Sequence, residues 1–139
     1  MPILLRVRIY LCRHAHAPSG DPDELRELSA HGREQAGALG EALAGLADPP
    51  RLVLSSPVLR AQQTAAAIGL ATGAQVRVDA SLAPGATLAE LTEAVEGERG
   101  PIAAVGHQPD CSEIVIALTG RDPGFPVAGM VELDLEIGA

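Results

Sequence analysis

Short apolar runs alternate with Ala- and Leu-rich runs along this chain, and no other feature constrains its fold so tightly. Residues 3–12 are apolar and β-branched and predict a central strand. Pro18, Ser19, Gly20, Asp21 and Pro22 follow as loop chemistry. Ser29 then stands as an N-cap before a run to Ala47 in which Leu39, Leu43 and Leu46 recur at helical spacing. Asp48-Pro49-Pro50 stops that helix, and Leu52-Val53-Leu54 predicts a second strand. Ser56-Pro57 reads as a cap followed by proline at the first helical position, opening a helix from Val58 to Ala71 with Gly73 past its end. Val76 and Val78 alternate with polar neighbours as a third strand. Thr87-Leu88-Ala89-Glu90 matches a capping box and opens a third helix to about Glu96. Residues 102–105 predict a fourth strand and residues 110–118 a fourth helix, closed by Gly120. Val131, Leu133, Leu135 and Ile137 alternate with acids, as in a strand with one wet face at a sheet edge.

The order β-α-β-α-β-α-β-α-β predicts an α/β fold: a three-layer α/β/α sandwich on a mostly parallel sheet, with an antiparallel edge strand. The length of 139 residues suits a single domain, residues 1–139, large enough to build a core without disulfides or metal. Cys12 and Cys111 form no framework and read as buried, reduced thiols. Arg6 and Arg8 interrupt the N-terminal apolar run, so neither a signal peptide nor a membrane span is expected, and a cytoplasmic protein is.

Charge narrows the ligands. The formal net charge is -8, all ten basic residues are Arg, and the aromatics are one Tyr and one Phe with no Trp. Nucleic acid is therefore an unsuitable partner: the cations that neutralise a polyphosphate and the rings that stack bases are both scarce. An anion site here must be local and built from Arg, His and backbone N–H groups.

Parallel sheets of this kind bind ligands where strands run out into loops. Arg13-His14 follows the first predicted strand, Ser55-Ser56-Pro57-Val58-Leu59-Arg60 the second, and Gly106-His107 the fourth. Two Arg and two His side chains thus arrive at one edge. Such crowding is unfavourable without an anion, and guanidinium forks fit phosphate oxygens in pairs. Arg60 falls in the first turn of its helix, where the dipole also favours negative charge. A neutral imidazole in that nest is a nucleophile toward phosphorus, and the arginines would stabilise the transferring group without a metal.

The blocks Arg13-His14-Ala15, Ser55-Ser56-Pro57-Val58-Leu59-Arg60-Ala61-Gln62-Gln63-Thr64-Ala65 and Val105-Gly106-His107 together resemble the histidine phosphatase superfamily. Residues 26–33, Arg-Glu-Leu-Ser-Ala-His-Gly-Arg, resemble its small phosphohistidine phosphatase (SixA-like) branch. The resemblance covers nearly the whole chain and implies the phosphoglycerate mutase-like form of the sandwich. It implies that His14 is the nucleophile that becomes phosphorylated, with Arg13, Arg60 and His107 as phosphate-binding partners and Arg26 as a further Arg near the site. It also implies a phosphatase with no cofactor and no metal. The substrate it points to is a phosphorylated protein, with phosphohistidine in a phosphorelay or phosphotransfer partner favoured.

One departure bears on the substrate. Larger members carry a Glu or Asp after the third strand as general acid, whereas this chain reads Asp79-Ala80-Ser81-Leu82-Ala83-Pro84-Gly85. An alkoxide needs a proton to leave, and general acid catalysis supplies about 10²–10⁴-fold. A phosphohistidine leaving group can already carry its proton, so a missing acid fits it better. A small-molecule or sugar phosphate monoesterase is the alternative, with Asp79 or Asp110 approaching the leaving oxygen. A non-catalytic phosphate or phosphoprotein sensor is another. A zinc site from His14 and His16, with Asp21 or Asp23, is opposed by the surrounding arginines.

Overall fold

The computed structural model describes residues 4–138. In chain order it contains β1 (Leu4–Arg13), α1 (Ala30–Ala44), β2 (Leu52–Ser55), α2 (Leu59–Thr72), β3 (Gln75–Val78), α3 (Leu88–Val95), β4 (Ile102–Gly106), α4 (Asp110–Thr119) and β5 (Met130–Gly138). Short 3-10 turns at Asp23–Leu25 and Ala80–Leu82 interrupt two of the connections. This is the predicted alternation. Ile3, the expected start of the first strand, lies outside the described residues.

The sheet runs β3-β2-β4-β1-β5. β1, β2, β3 and β4 pair in parallel, and β5 pairs antiparallel to β1 at the edge. β1 has neighbours on both sides, although β4 holds the middle of the sheet.

Period-two alternation divides the core between two faces. Val7, Ile9 and Leu11 of β1, Leu52 and Leu54 of β2, and Ile102 and Ala104 of β4 pack against Leu91 and Val95 of α3 and Ile114 and Val115 of α4. Tyr10 and Cys12, Val53, and Ala103 and Val105 point the other way, onto Leu39 and Leu43 of α1 and Ala61, Ala65 and Ile68 of α2. Both cysteines are buried free thiols, Cys12 facing one layer and Cys111 packed in the other. The sheet is therefore the middle layer of an α/β/α sandwich. None of the described helices is long and apolar enough to cross a membrane.

Of three caps expected at helix starts, one forms and two do not. Ser29 does cap α1, its Oγ accepting from Gly32 N at 2.9 Å. Ser56 is no helix cap: Val58 holds that position in α2, and the Ser56 hydroxyl lies 2.7 Å from His107 Nε2 while accepting only a long 3.4 Å bond from Val58 N. At α3, Thr87 Oγ1 donates to the Glu90 carboxylate and caps no backbone N–H. α1 also stops at Ala44, where Gly45 enters a poor helix former ahead of Pro49-Pro50.

Register decides what reaches the edge where the parallel strands end. Arg13 is level with Gly106 and Ser55 with Val105, so β1, β4 and β2 end together. The next residues, His14 and His107, leave the sheet level with one another, and Ser56 leaves it within one residue of them.

Candidate active site

Arg13 is the last residue of β1, and its Nη1 donates to the Phe125 carbonyl at 2.9 Å. His14 N donates to the Gly106 carbonyl at 3.1 Å, which ties the turn after β1 to the end of β4. Arg60 is the second residue of α2, and its Nε lies 3.4 Å from His14 Nε2. The His14 and His107 rings stand 5.3 Å apart, tilted by 55°. His14, Arg60 and His107 are 8%, 7% and 4% exposed. The chain thus buries two histidines and an arginine at one strand edge, where ordinary packing would keep such groups in water.

The His14 tautomer follows from its neighbour. The Ala15 carbonyl 2.7 Å from Nδ1 can only accept, so Nδ1 carries the proton and donates. In the neutral ring Nε2 then holds the lone pair, and Nε2 is the atom facing Arg60. Burial pushes the His14 pKa down to about 4, and the positive charges of Arg60, Arg13 and Arg26 push the same way against the Ala15 hydrogen bond. His107 is likewise lowered to about 4, first by burial and then by His14 and Arg60. Both rings are therefore neutral at pH 7.

Among the described residues, three buried side-chain polar atoms lack a hydrogen-bond partner: Arg13 Nε, Arg26 Nε and His107 Nδ1. All three belong to residues singled out in the sequence. An unsatisfied buried polar atom costs about 1–3 kcal/mol, and native structures keep few of them. Unmet donors on two guanidinium groups, beside a ring nitrogen, suit an oxyanion.

The sequence overlooked several contributors. Ser56 Oγ sits 2.7 Å from His107 Nε2 and fixes that ring. Thr64 donates to the Arg60 carbonyl at 2.9 Å and accepts from Ala15 N at 3.0 Å, locking α2 to the turn that carries His14. Both lie inside the recognisable 55–65 block, which was the available signal. Asp23 is the largest omission, having been weighed only as a zinc ligand. Its carboxylate bridges Arg60 Nη2 at 3.2 Å and Arg26 Nη1 at 3.4 Å. Nothing in the sequence spacing pointed there, because the contact depends on how the 14–29 connection folds back. Arg26 is thereby brought to the site.

Each of the two acids suggested as proton donors gives one carboxylate oxygen to a backbone N–H. Asp79 Oδ1 accepts from Ser81 N at 2.8 Å, and Asp110 Oδ2 from Gly85 N at 2.7 Å. His16 turns away from His14, its Nδ1 2.8 Å from Ser29 Oγ.

The sequence pattern of the histidine phosphatase superfamily (branch 1) matches residues 9–84, more than half of the chain. The chain belongs to the histidine phosphatase superfamily. It is a phosphatase by that membership. Its fold is similar to that of a protein from Agrobacterium tumefaciens described as a candidate phosphohistidine phosphatase SixA. The two share 29% identity with a TM-score of 0.78, over 91% of this chain and 90% of that one. The protein histidine phosphatase SixA in complex with tungstate matches at a TM-score of 0.77 over 94% and 96% of the two chains, its 20% identity showing the fold alone. A mycobacterial glucosyl-3-phosphoglycerate phosphatase with bound VO3 matches at 25% identity and a TM-score of 0.71, over 91% and 90%. No curated protein sequence matches the chain.

Proposed function

We propose that this phosphatase hydrolyses phosphohistidine in a phosphorelay or phosphotransfer protein, through a phosphoryl group carried covalently on His14. One observation carries the reading. The His14 Nδ1–H is committed to the Ala15 carbonyl and the ring is held neutral, so Nε2 keeps its lone pair at pH 7, accepting a long 3.4 Å hydrogen bond from Arg60 Nε that an incoming phosphoryl oxygen can take over.

In the first step Nε2 of His14 bonds to phosphorus as the substrate P–N bond breaks. A substrate ring that already carries a proton leaves as neutral imidazole, so the protein donates none. His14 becomes a phosphoimidazolium. The negative charge on the transferring group lies against the Arg13, Arg60 and Arg26 guanidinium groups and His107, the partnerless donors among them. Water then adds to phosphorus, the P–Nε2 bond breaks with its electrons returning to nitrogen, and dihydrogen phosphate leaves a neutral His14. Guanidinium charge serves where a metal ion would otherwise be needed.

The engagement of Asp79 and Asp110 with backbone N–H groups supports a substrate that needs no proton donor. A small phosphorylated metabolite is the second reading, favoured by the likeness to the mycobacterial glucosyl-3-phosphoglycerate phosphatase.

Phosphate release from a phosphohistidine peptide and from an alkyl phosphate, measured in chelator for wild type and His14→Ala, tests both. We expect turnover of the peptide only, with loss of at least 10³-fold in the variant, about the scale of removing a covalent nucleophile. Preference for the ester points to the metabolite reading and to a proton donor. No turnover of either, with phosphate still bound, makes the chain a sensor.

A further inference from the structure

Two of the three arginines assigned to phosphate, Arg60 and Arg26, are already held by a side chain of the protein itself. Arg60 Nη2 meets Asp23 Oδ2 at 3.2 Å and Arg60 Nη1 meets the Asp23 backbone carbonyl at 2.9 Å, while Arg26 Nη1 meets Asp23 Oδ1 at 3.4 Å. Each carboxylate oxygen thus takes a different arginine, as two oxygens of a phosphoryl group would. We infer that Asp23 is a tethered competitor that occupies Arg60 and Arg26 in the free protein and lowers the site's affinity for free phosphate. The inference rests on the proposed function in so far as that places the phosphoryl group on these arginines.

Several features make Asp23 a displaceable occupant. It belongs to a turn of three residues, Asp23–Leu25, and its side chain is 63% exposed against 8% for Arg60. Its carboxylate can therefore swing into water while Arg60 stays buried. The backbone carbonyl contact to Nη1 does not depend on the side chain, so Arg60 stays oriented after the carboxylate leaves. The carboxylate also fills the site only in part, since Arg13 Nε, Arg26 Nε and His107 Nδ1 remain without partners while it is in place. A phosphoryl group carries more charge and more acceptor oxygens, so it can take the arginines from a single carboxylate.

The consequence is selectivity. A singly charged ligand gains little by replacing an equally charged group tethered at high local concentration. A phosphoryl group on a docked substrate, anchored further by its bond to His14, wins the arginines. Product phosphate loses that bond, and the returning carboxylate favours its release.

Orthophosphate titrated calorimetrically into the full chain at fixed ionic strength tests this for wild type, Asp23→Asn and Glu24→Gln. Glu24 is exposed on the same turn and controls for loss of one negative charge. We expect Asp23→Asn to bind phosphate about three- to tenfold tighter, the scale of one or two partly exposed ion pairs, and its product inhibition to strengthen in parallel. Glu24→Gln should stay within about twofold. Asp23→Ala carries the same expectation as Asp23→Asn and covers a local misfit of the amide. Unchanged or weaker phosphate binding in both Asp23 variants overturns the inference. So does equal tightening in Glu24→Gln, which would reduce the effect to overall charge. If phosphate binds but neither substrate is hydrolysed, the proposed function fails, while the Asp23 ratio still decides the competitor.

Discussion

A histidine in water titrates near pH 6.5, whereas His14 and His107 are pushed down to about 4 by burial beside arginines. The shift decides chemistry more than charge. A protonated His14 would have no lone pair on Nε2, and a ring with an ordinary pKa would lose its nucleophile across mildly acid pH. The acid limb of kcat/KM that belongs to His14 should therefore fall near pH 4. Heteronuclear NMR of the free protein checks the point directly: both ring signals should stay neutral at pH 5.5, with Nδ1 of His14 protonated. A midpoint near 6.5 for His14 would contradict the burial seen here. His107 is held from behind by Ser56 and leaves Nδ1 unmet, so it binds as a donor only when that nitrogen carries the proton.

Between elements, the decisive contacts are made by small residues. Gly32 lets α1 approach the turn after β1: a Cβ there would stand 2.0 Å from the His16 carbonyl oxygen. Gly40 does the same between α1 and α2, where a Cβ would come within 2.8 Å of the Ala67 carbonyl. Thr64 is the bolt between α2 and the turn after β1, since one buried hydroxyl serves both Arg60 and Ala15. Replacing it with Val keeps the shape and strands the Ala15 N–H, which is fully buried. Thr64→Val should lower stability by about 1–3 kcal/mol in denaturant titration. It should also reduce kcat more than it raises KM, because it loosens the placement of His14 relative to Arg60. An unchanged kcat would show that the rest of the turn holds His14 unaided.

For the molecule as a whole, the same two histidines link the site to acid stability. Their folded pKa values lie below the unfolded value, so the unfolded chain takes up more protons as pH falls. Stability from these groups is fully present above about pH 6.5, and is lost as pH drops from there to about 4, below which they contribute no further change. Calorimetric Tm in phosphate-free buffer should fall over that window, and fall less steeply in His14→Ala. Equal slopes in the two proteins would mean that other groups carry the acid sensitivity. Added phosphate should raise Tm, because it binds the folded site alone.

Much of this protein was legible in the sequence because its signals are local. Hydrophobic periodicity is a property of neighbouring residues, so the β-α alternation, the wet-faced edge of β5 and the Ser29 cap could all be read in order along the chain. The placement of His14 and His107 just past strand ends, and of Arg60 in the first turn of the helix after β2, followed from that alternation, since a parallel sheet delivers successive strand ends to one edge. The caps read at Ser56 and Thr87 went astray for a related reason: a hydroxyl next to a helix start has several partners within reach, and tertiary packing chooses among them. Ser56 went to His107 and Thr87 to Glu90. Register, burial and long-range pairing belong to the folded chain alone. They ended β1, β4 and β2 together, set the His14 tautomer through Ala15, and brought Asp23 onto Arg60, 37 residues away in sequence. The sequence determined that Arg13, His14, Arg60 and His107 would come to one edge of the sheet; only the tertiary structure added Asp23, Ser56 and Thr64 and decided which groups were already engaged, because engagement depends on distance through space.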